Sequence, residues 1–285
     1  MKIQQQNTGL IIEKRTTDYV FGGQTKVVHE DRNLIGNWES FLPSDEHQKG
    51  RFFDTFGCVT FSAMNSLECQ LSWMIENKLL TQGTLDFLNE FGYIQDGKLN
   101  FSDRFTVVMS GTTPGRGNSF QNVWDSIRKH GVAPEVMWPN NLHEFDQQEY
   151  YQKPLDTVKQ VALKFLDHFK AEYESVPQSL IPKALKHCPI HIGTATCDGW
   201  FDGGIVNACD YTPNHATMLF KKDIKGYHDM DHYDPTKKVL AHNYPIPHAF
   251  KGILTPIQSL QGIKNVPNRS FLSKLLRLLR RGLKI

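Results

Sequence analysis

Cys58 is the residue whose position most clearly lends itself to chemistry. It stands in DTFGCVTFSAMNSLE (54–68), just ahead of a stretch running from Val59 to Leu80. There Phe61, Ala63, Met64, Leu67, Leu71, Met74 and Ile75 recur at three- and four-residue intervals, the period of a helix. At a helix N-terminus, free amides and the macrodipole stabilise a thiolate, the nucleophilic form of cysteine. The plainer reading is a small buried hydrophobe before a helix. A nucleophile also needs a base, and the base needs an orienting group. His215, in PNHATMLF, begins a predicted strand, and Asp231, in YHDMDHYDP, lies on the next one, beyond the polar turn KKDIKG. A hairpin between those strands would set imidazole and carboxylate side by side.

Other polar groups have weaker claims. His228, Asp229, Asp231, His232 and Asp234 form a dense cluster in which alternate residues on one strand face could hold a metal. No second matched pair lies near in sequence, so the cluster reads as a solvated strand and turn, and no metal or cofactor is assigned. Gly203 and Gly204 read as a structural turn, and Trp124, Trp138 and Trp200 as packing. Five cysteines, an odd and widely spaced set, argue against a disulfide framework. Cys69, Cys188, Cys197 and Cys209 are expected as free thiols in a reducing compartment.

The elements that must position Cys58 and His215 follow from the pattern of the chain. Helices are predicted over 119–130, with Ser119 as N-cap and Gly131 as stop, over 155–174, and over SLIPKALKHC (179–188), halted by Pro189. PIHIGTAT, NHATMLFK and YHDMDHYDP read as strands. Helices first and strands second indicate α+β rather than a βαβ sheet. The 285 residues, 39% hydrophobic and 22% charged, suffice for one large domain or two lobes. A net charge of +2 points to no nucleic-acid field. There is no apolar run of about 18 residues to span a membrane. The N-terminus lacks the apolar core of a signal peptide, so a cytoplasmic or virion-associated protein is expected. The tail SFLSKLLRLLRRGLKI (270–285) gathers leucines on one helical face and Lys and Arg on the other. It could dock on its own domain or a partner protein, or lie on an anionic membrane; nucleic acid is the weakest of its readings.

Several of these segments, in order, resemble the papain-like cysteine peptidases. GCVTFSAMNSLE is similar to that family's helix around the nucleophile. GNSFQNVWDSIRKHGVAPEVMWP (117–139) resembles its glycine loop, helix and following G-[IV]-x-x-E-x-x-[YW]-P segment. CPIHIGTA, WFDGGIV and NHATMLF resemble later strands and turns, the last beginning with the catalytic His-Ala. The resemblance covers roughly 38–250 and looks most like divergent phage- or virus-type members. It implies a two-lobed α+β fold, a helical lobe and an antiparallel β-barrel-like lobe with the cleft between them. Residues 1–37 would be an extension, 38–265 the peptidase domain and 266–285 the basic C-terminal helix. It further implies Cys58 as nucleophile, His215 as base, and Asp231 in place of the family's asparagine, acting on a polypeptide substrate.

Gly115, Gly117 and Asn118 resemble the loop lining the substrate cleft, although a simple loop before a helix reads the same way. The family's oxyanion-hole glutamine, six residues before the cysteine, is replaced by Phe52. Gln48 could take that role if HQKGRFF carries an insertion, whereas Asp54 would repel an oxyanion. No helical inhibitory pro-segment is expected within the first 37 residues or so. Three alternatives stay open. One is an inactive papain-fold module that binds a protein partner, motivated by Phe52. Another is a membrane-interacting or virion structural protein, motivated by the tail. The third is the same Cys-His chemistry on a non-protein amide.

Overall fold

The strongest helical pattern in the chain forms the central helix, α1 (Cys58–Glu76), whose residues are buried on nearly every side. A helix enclosed in this way must satisfy its polar side chains internally. Ser62 meets His191 Nδ1 at 3.2 Å, and Asn65 meets His232 Nε2 at 3.0 Å. Gln70 donates to the Gly252 carbonyl and accepts from the Leu254 amide. The helix is thereby pinned to the strands behind it.

The computed structural model describes residues 9–23, 30–197, 199–209 and 212–257. The expected tail helix at 270–285 and the boundary at 265 lie outside these residues. Around α1 stand α2 (Gln82–Glu90), a hairpin of β1 (Ile94–Gln95) and β2 (Lys98–Leu99), α3 (Asp103–Met109) and α4 (Phe120–His130). Ser119 caps α4 by accepting from the Asn122 amide, and Gly131 ends it at φ 71°. Next come α5 (Gln147–Tyr150) and α6 (Asp156–His168).

The helix expected over 155–174 is only half right. It ends at His168, and β3 (Phe169–Ser175) continues from it, pairing antiparallel with β9 (His248–Pro256). Phe169, Ala171 and Tyr173 alternate inward along this segment. The ladder with β9 satisfies its backbone, and tertiary pairing outweighs the good local helix propensity of KAEYE. After α7 (Ile181–Ala184) come β4 (Ile190–Thr194), β5 (Ile205–Val206), β6 (His215–Asp223), β7 (Gly226–Met230) and β8 (Lys237–Leu240).

The main sheet runs β3-β9-β4-β6-β7-β8-β5. Its pairs are antiparallel except β5 with β8, which is parallel. The architecture is α+β in two lobes, as expected. One core joins α1 and α4 to the sheet through Met64, Leu67, Trp124, Phe165 and Phe250. A second, around Ile190, Ile192, Trp200, Leu219 and Tyr244, fills the strand-rich lobe.

One expectation about cysteines is overturned. Cys197 and Cys209 are joined in a disulfide, their Cα atoms 6.2 Å apart. The loop before β5 folds back and brings the two together, a proximity that a twelve-residue separation does not reveal. Cys58, Cys69 and Cys188 are free and buried.

Candidate active site

Cys58 is the first residue of α1, and none of it is exposed. The turn leading to it is held by Asp54, whose Oδ1 accepts from the Phe56 amide at 2.8 Å while Phe56 adopts φ 52°. His215 and Ala216 open β6, and the Ala216 amide lies close enough to the Cys58 sulfur to favour its thiolate. Burial pushes the Cys58 thiol up from its ordinary value. The Ala216 and Val59 amides oppose that rise, and the Asp54 and Asp231 charges add to it. A helix terminus alone would favour thiolate; here covering of the cleft outweighs it.

His215 Nε2 lies 2.5 Å from Asp231 Oδ1. Its other ring nitrogen, Nδ1, is buried with no hydrogen-bond partner among the described residues. The hairpin of β6 and β7 brings the pair together, with register partners from Met218↔Met230 to Asp223↔Gly226. Asp231 is not on the strand, contrary to expectation. β7 stops at Met230, and the Asp231 amide bonds to the Thr236 carbonyl in the turn beyond. Leaving the ladder turns the carboxylate across to His215. Its four acceptor positions are filled, Oδ1 by His215 and the His232 amide (2.6 Å), Oδ2 by Trp200 Nε1 (2.8 Å) and Lys238 Nζ (2.6 Å). Burial alone would raise this carboxyl, but His215, Lys238 and His232 bring it well below the usual range.

Gln48 is fully buried, whereas Phe52 is 59% exposed. Residues 49–54, Phe52 among them, loop out: Lys49 bridges Asp54, and the Thr55 amide bonds to the Gln48 carbonyl. The local excursion brings Gln48 next to the turn before Cys58. Its Nε2 donates to Asp54 Oδ1 at 3.0 Å and to the Tyr233 hydroxyl at 2.8 Å, and Tyr233 in turn donates to Asp54 Oδ2. The Tyr233 ring packs 5.1 Å from that of His215.

The cleft is occupied by the chain's own N-terminal segment, which is extended rather than helical. Asn118 donates to the Gly9 carbonyl and accepts from the Ile11 amide, both at 2.8 Å. From the opposite wall the Asn214 carbonyl accepts from the Leu10 amide at 3.1 Å. Leu10 is buried against Gly193, in the same cluster as Cys58 and Ala216. Gly117 is needed here: a Cβ on it would fall 1.8 Å from the Gly9 carbonyl oxygen. A Cβ on Gly115, two residues earlier, would meet nothing within 4 Å.

The residues of the expected polar cluster disperse. His228 faces Asp223 at 2.9 Å, and His232 turns to Asn65. Among the described residues, no group of three or more His, Cys, Asp or Glu is arranged to hold a metal.

Sequence reasoning missed Tyr233, Trp200, Lys238 and the N-terminal segment. Lys238 carried a faint signal, since KKVL places it on the same strand face as Leu240. The adjacent Lys237 made that signal ambiguous.

No family model matches the chain, and no curated protein sequence matches it. Among solved structures it is similar to xylellain, a cysteine protease from Xylella fastidiosa, at TM-score 0.58 and 15% identity, over 90% of this chain and 98% of that one. It is also similar to digestive procathepsin L2 proteinase from the Tenebrio molitor larval midgut, at TM-score 0.54 and 13% identity, over 88% and 78%. The fold is that of the papain-like cysteine proteases.

Proposed function

We propose that this chain is a cysteine peptidase working through Cys58, His215 and Asp231. The observation that carries the reading is the buried His215–Asp231 pair, 2.5 Å apart, with the next residue, Ala216, packed in the same core cluster as Cys58. In the active form His215 Nδ1 takes the Cys58 proton, giving thiolate and imidazolium. The sulfur bonds to the substrate carbonyl carbon, and the carbonyl π electrons move onto oxygen. As the C–N bond breaks, His215 returns the proton to the leaving amine and a thioester remains. Water, deprotonated by His215, attacks the thioester and releases acid and thiolate.

The oxyanion is met by the Cys58 amide, in the first helical turn where amides lack intrahelical acceptors, and by Gln48. To donate there, the Gln48 amide exchanges its bond to Tyr233 or Asp54. The substrate is a polypeptide. In support, the groove between Asn118 and Asn214 already holds an extended peptide by its backbone, whichever side chains that peptide carries. The basic tail at 270–285 is an address for a membrane or a partner, separate from the site. Deleting 268–285 then removes liposome or particle association and leaves the chemistry intact.

The test is intact mass after treatment with an epoxysuccinyl cysteine-peptidase inhibitor, on wild type and Cys58→Ala. One adduct, mapped to Cys58 and absent from the variant, supports the reading. Cys58 reacting no faster than the other thiols overturns it and leaves a papain-fold binding protein.

A further inference from the structure

Lys238 is a lysine of the strand-rich lobe whose side chain is only 1% exposed. It lies on β8, opposite Asp229 of β7. Its ammonium has three N–H donors, and three acceptors surround it: Asp231 Oδ2 at 2.6 Å, the Tyr233 carbonyl at 3.0 Å and the Pro235 carbonyl. The Trp200 ring lies 5.3 Å away and shares the same carboxylate oxygen. Asp231 Oδ1 faces His215, so the carboxylate bridges ammonium and imidazole.

A buried carboxylate without a counter-charge is costly, and so is a buried ammonium. Together they form a closed, net-neutral pair. Beside the imidazole, an unpaired carboxylate would bind the imidazolium proton strongly. The other titratable groups around His215 and Asp231 are Cys58 on α1, Asp54 before it, Asp229 on β7, and His232 and Tyr233 in the turn, with His47 behind His232. Burial holds His232 down to about 3, so it is uncharged near neutrality, and burial raises Asp229, favouring its uncharged form. Lys238 is then the cation directly bonded to Asp231.

We propose that Lys238 is a positioning residue of the Cys58–His215 site, its ammonium neutralising Asp231 so that the pair orients His215 as a neutral amide would while still accepting its N–H. The inference rests on the peptidase reading, and its test reads His215 directly. Two readouts on the full chain are the pH dependence of Cys58 alkylation by iodoacetamide and the ¹⁵N NMR titration of the His215 ring.

Lys238→Met leaves Asp231 uncompensated. An opposite charge at this range moves a titration by about 1–3 units, so the His215 ring signal and the alkaline limb of alkylation should both move up by about that much. The double variant Asp231→Asn with Lys238→Met is neutral at both positions. It should fold and titrate within about half a unit of wild type, and it keeps the inference testable if the single variant does not fold. Unshifted His215 titration in folded Lys238→Met overturns the inference, as does a double variant displaced like the single one. If Cys58 shows no inhibitor adduct yet His215 shifts as expected, the peptidase reading fails while the coupling stands.

Discussion

Each side chain of the site is defined by what it bonds to, and the consequences of removing it differ accordingly. His215→Ala removes the proposed base and should lower the rate of Cys58 acylation by about 10²–10⁴-fold, the range for a positioned acid–base group, with little change in melting temperature. Asp231→Ala should weaken turnover as well. It should also destabilise the fold, because Lys238 and Trp200 lose their shared acceptor. On the proposed reading Gln48, and not Phe52, supplies the oxyanion donor. Gln48→Ala should cost about 10²–10³ in kcat, the effect of deleting one oxyanion donor. Phe52→Ala, at an exposed site away from the carboxylates, should leave kcat within about twofold. Rates on a fluorogenic peptide decide between them, and equal losses would place the donor elsewhere.

Between the elements, the decisive contact is that of residues 9–11 with the walls of the cleft. Leu10 is 7% exposed, and burying such a side chain contributes roughly 1.5–3 kcal/mol. Leu10→Asp should therefore release the segment and raise the rate of Cys58 labelling by about 10–100-fold. The same substitution at the exposed Leu34, 74% accessible, should do nothing. The high position of the Cys58 thiol has the same origin, since burial is its largest cause. Release of the segment should accordingly shift the pH profile of alkylation downward as well as speeding it.

For the protein as one folded body, two sets of buried groups oppose each other in pH. Burial raises the carboxyls of Glu46, Glu68 and Asp103; the Glu46 charge lifts Glu68 and Asp103 further, while hydrogen bonds with Asp103 and Asn100 and the His47 charge oppose the rise of Glu46 itself. Burial brings Glu135 up to about 8 from the ordinary 4.5. The folded state then binds more protons than the unfolded one across that window, so stability falls as pH rises through it. His191 and His232 are held down to about 3 by burial, from the ordinary 6.5. There the folded state binds fewer protons, and stability falls as pH drops from about 6.5 towards 3. Asp231, depressed by its partners, adds to the loss at the acid end. The melting temperature should thus be highest between about 4.5 and 6.5 and decline on both sides. Glu135→Gln should flatten the alkaline decline and leave the acid one; an unchanged alkaline slope would remove Glu135 from the account.

The α+β class, α1, the helix from Ser119 to Gly131, and the strands opening at Ile190 and His215 were legible because each rests on local periodicity or a capping residue. So was the hairpin that carries Asp231 towards His215, since the turn KKDIKG separates two alternating runs. The end of α6 at His168 was not, because only the partner strand β9 makes KAEYES extended. The Cys197–Cys209 bond, the parallel pair β5–β8, the seat of Gln48, the ammonium beneath Asp231 and the peptide across the cleft all join residues far apart in the chain or separated by an excursion. Local preference specifies which segments coil and which extend. Which charges meet, and whether a thiol is covered, is decided by packing, since burial and pairing act only on groups that the folded chain has brought together.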